Sequence, residues 1–278
     1  MARLFEMNPI VAVSSWAVDR TLGMRFPDSP SLGRGPAETV STRALPLLEL
    51  PSALNAHGFN QMQLCHFHLI SRDRDYADQF KAALSEANVQ LLTVLIDDGD
   101  ISHPDHGERD ANWISGWLDT AALLGASRAR VIAGRQPGTP ENLARSIKRL
   151  AVLANKAKDL GLRLEIENWF DLLANAESVI HVLDELDGAV GLCLDFGNWH
   201  GAWKYEAFAQ IFPRAETCHA KAEFTPDGKI DLLDYDRCLN LAKDAKFFGP
   251  FVLVTGGPTS SDWDGLKISQ DAIQAAFK

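Results

Sequence analysis

The chain has 278 residues, 46% hydrophobic and 23% charged, a balance that supplies a sizeable core and excludes a disordered chain. Its formal net charge of −10, with no Lys/Arg-dense run, lacks the electrostatic footprint of nucleic-acid binding and favours a small-molecule partner. Four scattered cysteines without a CxxC pair, a start (MARLFEMNPIVAVSSWAV) without a cleavable signal pattern, and no apolar stretch near the roughly 20 residues that span a bilayer make a cytoplasmic protein with reduced thiols the expectation, with no membrane partner.

Eight β-rich runs follow one another along the chain. They are IVAVSSW (10 to 16), QMQLCHFHL (61 to 69), VQLLTVLID (89 to 97), RARVIAG (128 to 134), LRLEIEN (162 to 168), VGLCLDF (190 to 196), ETCHAKAEF (216 to 224) and PFVLVTG (250 to 256). Between them lie segments of helical periodicity such as DYADQFKAALSEAN, NWISGWLDTAALLGA and TPENLARSIKRLAVLANKAKDLG. The last carries Thr139 as a candidate N-cap, Pro140 in the first turn and Gly161 as a stop. Eight strand–helix alternations imply parallel strands with right-handed crossovers, so the expected fold is a single (β/α)8 TIM barrel over 1 to 278. An open doubly wound sheet is the alternative, but no GxGxxG loop follows the first strand. The connection at 17 to 43, rich in Gly, Pro and Ser, is a candidate lid over the catalytic face, and apolar helix faces leave a homodimer open.

In such a barrel the reacting groups stand at the C-terminal strand ends. Read in order, these ends supply Trp16; His66 and His68; Asp97 and Asp98; Arg135; Glu167, Asn168 and Trp169; Asp195, Asn198, Trp199 and His200; His219 and Lys221; and Thr255, Gly256 and Gly257. The run LRLEIEN sets Glu165 and Glu167 two positions apart, so both face one side of the strand. If Leu164 and Ile166 meet the helices, both carboxylates enter the barrel, where each needs a cation or a metal. Glu167, nearer the mouth, is the reacting group, and Glu165 is expected to pair with a buried Lys, Arg or His. Trp16, Trp169 and Trp199 could stack on a sugar ring. His66 and His68, read on one face of the second strand, could bind substrate, and Arg135 could receive a phosphate or carboxylate.

LEIEN on the fifth strand, LCLDFGN on the sixth and CHAK on the seventh, with ARVIAG and GPFVLV on the fourth and eighth, resemble the xylose isomerase-like barrels of the sugar phosphate isomerase/epimerase group. That group also includes inosose dehydratases, ketose 3-epimerases and a DNA-repair endonuclease branch. The resemblance implies a divalent metal (Mn, Mg or Zn) held by Glu167, Asp195 and His219, and a carbohydrate substrate. It also implies a fourth ligand, a glutamate on the eighth strand, where this chain has Val254 and Thr255; Asn198 stands where the sixth strand often carries a histidine. A two-base 3-epimerase mechanism is therefore in doubt. A one-base isomerase or lyase reaction remains, with Glu167 or a neighbouring histidine abstracting a proton and Lys221 or His200 returning it, while Asn198 holds a substrate hydroxyl. Two alternatives stay open: a metal-independent lyase forming a Schiff base on Lys221, and a non-catalytic sugar-binding barrel.

Overall fold

The computed structural model describes residues 9–42, 44–255 and 257–278; Arg43 of the candidate lid and Gly256 of the last strand end lie outside the described residues. Eight parallel strands close into one barrel: β1 Val11–Ser14, β2 Gln61–Cys65, β3 Gln90–Ile96, β4 Arg128–Val131, β5 Arg163–Glu167, β6 Gly191–Asp195, β7 Ala215–His219 and β8 Phe251–Leu253. β1 pairs with both β2 and β8, which closes the ring and leaves no open edge. The helices that return the chain are α1 Leu50–Ala56, α2 Arg74–Glu86, α3 Gly107–Leu123, α4 Pro140–Asp159, α5 Ala176–Glu185, α6 Trp203–Ile211, α7 Leu232–Asp244 and α8 Asp262–Ala276. None is long and apolar enough to cross a membrane.

Local chemistry sets the helix ends. Thr139 accepts a hydrogen bond from the Asn142 backbone N–H at the start of α4, and Pro140 occupies the first turn. Gly161, with φ of 74°, takes the left-handed conformation just past the end of that helix. Asp73, Asn175, Asp231 and Ser261 cap four other helices by the same side-chain acceptance.

Alternation along each strand divides two interiors. Leu164, Ile166, Leu192 and Leu194 face outward into the large core beneath the helices, whereas Ala12, Leu92 and Val252 form a small apolar plug of their own. The complementary positions of β4 to β7 place Arg128, Arg130, Glu165, Glu167, Asp195, Thr217 and His219 on the other face. Arg130 is in register with Glu165, Cys193 with Glu167, and Asp195 with His219, so these side chains form layers.

Several strands end earlier than their hydrophobic runs. β2 stops at Cys65, and His66–His68 form a 3-10 turn. The two histidines therefore do not share a strand face: a tight turn, not period-two alternation, sets their directions. β7 likewise stops at His219, so Lys221 belongs to the connection beyond it.

Candidate active site

The strand ends open into a cavity of about 590 Å³. Its floor is made by Glu167, Asp195, His219 and Arg130, all buried. Its wall carries Trp169, Asn198, Lys221 and Val254, and its rim carries Trp16 and Arg135. Part of the long first connection also faces it: Arg25, Pro27, Asp28, Ser29 and Glu38 line the cavity. This segment folds into two small antiparallel ribbons, Met24–Arg25 with Glu38–Thr39 and Asp28–Ser29 with Gly33–Arg34.

His219 is the centre of the floor. Its Nδ1 stands 3.4 Å from Glu167 Oε2 and 3.4 Å from Asp195 Oδ2, and its Nε2 lies 2.9 Å from Gln63 Oε1. Burial alone would lower its pKa, but the surrounding Cys193, Glu167 and Asp195 raise it well above the usual imidazole value. Asp195 Oδ1 accepts from the Gly197 backbone N–H at 2.6 Å, and Glu167 Oε1 accepts from Asn198 Nδ2 at 2.5 Å. Glu167 Oε2 is buried without a hydrogen bond.

Arg130 is the floor residue the sequence reading did not single out. It is 3% exposed, donates to Asp97 Oδ1 at 2.5 Å, and sets Nε 3.0 Å from Glu167 Oε2. Burial opposes its charge, but Asp97 and Glu167 outweigh burial, so the guanidinium is held charged. In turn, Arg130 and His219 overcome burial at Glu167 and hold its carboxyl down to about 2. The signal was available: Arg128 and Arg130 alternate within RARVIAG just as Glu165 and Glu167 alternate within LRLEIEN.

One layer below, Glu165 is fully buried and pairs with Arg128 at 2.9 Å, the basic partner expected for it. Burial outweighs Arg128 and pushes the Glu165 carboxyl up to about 7. Since this folded-state pKa lies above the unfolded value, the carboxyl is neutral and well tolerated below about 4.5, and stability falls as pH rises from there through 7. A Glu165→Gln variant is therefore expected to gain stability relative to wild type between pH 5 and pH 8 in parallel urea titrations. A constant difference across that range would contradict this.

The other residues singled out from sequence divide into two groups. Trp16, 44% exposed with the Arg25 guanidinium 4.8 Å from its ring centroid, faces the cavity, as does Trp169, stacked on Phe170 at 4.3 Å. Phe170 has φ of 57°, an unusual conformation for an aromatic residue, directly after Trp169. Arg135 stands at the rim with Nη2 3.1 Å from Asp98 and its guanidinium over Phe170 at 4.4 Å. Lys221 crosses Gly197 so closely that a Cβ there would lie 2.6 Å from Lys221 Cδ, and its ammonium makes no hydrogen bond or ion pair among the described residues. His66 lines the cavity with both ring nitrogens engaged: Nδ1 accepts from the Asp97 N–H at 3.2 Å, which leaves Nε2–H to donate to the Asp28 carbonyl at 3.1 Å. It ties the long connection to the barrel.

His68, His200 and Trp199 do not line the cavity. His68 is buried, with Nδ1 2.8 Å from Ser15 Oγ and Nε2 2.9 Å from Asp19. Trp199 belongs to the core beneath the helices, where it stacks on Phe208 and donates to the Leu173 carbonyl at 3.1 Å. His200 is exposed. Beyond Asp195 the chain leaves the strand, so sequence spacing no longer tells which way a side chain points.

Among the described residues, Glu167, Cys193 and His219 bring donor atoms within 4.8 Å of one another, close enough to hold a metal ion, and Asp195 flanks His219 on the same floor. Ligand edges of roughly 3.0–3.4 Å accompany metal–ligand bonds near 2.1 Å. The two 3.4 Å contacts at His219 Nδ1 have the length of such edges, and Glu167 Oε2 makes no hydrogen bond. Val254, on the last strand end, lines the same cavity and offers no ligand atom from its side chain.

The profile of the xylose isomerase-like TIM barrel family matches residues 51–275. No curated protein sequence is similar enough to count as a match. Solved structures similar to this one include a xylose isomerase-like TIM barrel protein from Mycobacterium smegmatis in complex with magnesium, at 17% identity, TM-score 0.66 and coverage of 97% of this chain and 98% of that one. D-psicose 3-epimerase from Clostridium cellulolyticum H10, solved with D-tagatose, is 14% identical with a TM-score of 0.66 over 96% of both chains. The probable 3-DHS dehydratase AsbF of Bacillus anthracis, involved in petrobactin synthesis, is 13% identical with a TM-score of 0.68, covering 94% of this chain and 97% of that one.

Proposed function

The chain belongs to the xylose isomerase-like TIM barrel family, and on that premise we propose that it is an enzyme that moves a proton beside the carbonyl of a polyhydroxylated small molecule, as an isomerase, epimerase or dehydratase-type lyase. The observation that carries this reading is the placement of the Glu167 and Asp195 carboxylates, each 3.4 Å from His219 Nδ1, on the floor of one cavity. The epimerase and dehydratase among the structural neighbours support the same range of chemistry.

Glu167, Asp195 and His219 would hold a divalent cation such as Mn, Mg or Zn, which when bound supplies Lewis-acid polarisation of a substrate oxygen. Arg130 and His219 lower the pKa of Glu167, which keeps it in the carboxylate form that a cation ligand needs. Lys221, on the cavity wall without a hydrogen bond or ion pair among the described residues, would carry a proton. Asn198 and Trp169 face the same space and would orient a hydroxylated ligand, and the ribbons of residues 24–39 would cover it.

Incubation of the Mn-, Mg- or Zn-loaded protein with D-fructose, D-tagatose or D-psicose in D₂O tests the class. Deuterium is expected at a carbon next to the carbonyl, read by mass spectrometry. No exchange with any metal or ketose would count against the reading. The free ammonium of Lys221 also favours a second reading, a Schiff-base lyase. Borohydride trapping of a ketose adduct on Lys221 separates the two.

A further inference from the structure

Glu167, Asp195 and His219 are each held by a neutral carboxamide. Gln63, fully buried on β2, places Oε1 2.9 Å from His219 Nε2 and directs Nε2 to Thr93 Oγ1 at 3.3 Å. Asn168, fully buried after β5, bonds both sides of the Asp195 backbone: its Oδ1 accepts from the Asp195 N–H at 2.7 Å and its Nδ2 donates to the Asp195 carbonyl at 3.1 Å. Asn198 donates to Glu167 Oε1 at 2.5 Å. The three come from three different segments and none adds a charge.

From this arrangement we infer that Gln63, Asn168 and Asn198 are positioning residues that set Glu167, Asp195 and His219 for a divalent cation, a step that rests on the proposed metal site. The argument is strongest at Gln63. A carboxamide oxygen can only accept, so the ring nitrogen facing it carries the hydrogen, and in the neutral imidazole the lone pair then lies on Nδ1, the atom facing Glu167 and Asp195. In this orientation Thr93 Oγ1 accepts from the Gln63 amide nitrogen at 3.3 Å, so both ends of the carboxamide are satisfied. A carboxylate in place of any of these amides would add negative charge to a floor already holding Glu167 and Asp195. An amide orients without that addition. Outer partners of this kind typically change metal affinity by about 10- to 100-fold.

Isothermal titration with Co²⁺ at pH 7.5, on protein stripped with a chelator, tests the inference. Gln63→Met, which keeps the length and loses the acceptor, is expected to weaken Co²⁺ binding at least 10-fold, and Gln63→Glu, which restores an acceptor for Nε2–H, to recover most of that loss. Asn198→Ala, at a half-buried site, is expected to weaken binding less than Gln63→Met with little effect on the thermal midpoint. Wild-type Co²⁺ affinity in Gln63→Met, or an equal loss in Gln63→Met and Gln63→Glu, overturns the positioning role while leaving the metal site intact. No Co²⁺ binding by the wild type removes the metal site itself, and the inference with it. If Gln63→Met fails to fold, Asn198→Ala decides: unchanged Co²⁺ affinity there overturns the inference.

Discussion

Replacing Arg130 with methionine is expected to lower the stability of the metal-free protein by about 3–5 kcal/mol, the usual result of removing one partner from a buried ionic network. The guanidinium is 3% exposed and is shared by Asp97 and Glu167, so its loss leaves Glu167 in the floor with no charged partner but His219. Methionine fills similar volume, so the loss reports charge and not a cavity. The effect has a pH signature. In the variant, Glu167 loses the largest influence opposing burial, so its folded-state pKa rises toward or above the unfolded value. The penalty is then fully present above roughly pH 5 and shrinks as pH falls through the carboxylate range, where protonation removes the unpaired charge. Urea titrations at pH 4 and pH 7.5 check this. A loss under about 1 kcal/mol at pH 7.5 would mean that the ion pairs are not structural.

Glu167→Gln is expected to have the largest effect on activity. The substitution keeps the shape and the hydrogen-bonding capacity toward Asn198 but removes the negative charge that the floor offers a divalent ion. Loss of a direct ligand should exceed the roughly 100-fold loss of metal affinity typical of an outer partner, and deuterium exchange into ketose should fall below detection with it. The variant should fold, because the carboxamide keeps the size of the carboxylate and its oxygen still accepts from Asn198. Retention of full exchange by Glu167→Gln would exclude the three-residue floor as the reacting centre.

Much of the architecture is legible in the chain. Eight runs of strand-forming residues separated by helical periods specify a closed barrel, and period-two alternation in LRLEIEN foretells that Glu165 and Glu167 share the inner face. The same reasoning applied to RARVIAG would have found Arg130, whose buried position was hidden because an arginine at a strand end is so often a rim residue. Where alternation ceases, prediction weakens. His66 and His68 lie within a 3-10 turn and Trp199 and His200 in an irregular segment, so spacing carried no information on whether they face the cavity. Gln63 was invisible for another reason. A single glutamine inside a strand has no motif, and its meaning appears only when the barrel closes and brings it to His219, 156 positions away.

The central claim, that Glu167, Asp195 and His219 hold a divalent cation, is tested most directly by inductively coupled plasma mass spectrometry of protein purified without a polyhistidine tag, beside Glu167→Gln. The account predicts about one equivalent of a divalent metal per wild-type chain, as isolated or after reconstitution with Mn²⁺, Zn²⁺ or Co²⁺, and its loss from the variant. A wild-type chain that holds no metal after reconstitution, or a variant that holds as much as the wild type, would contradict it.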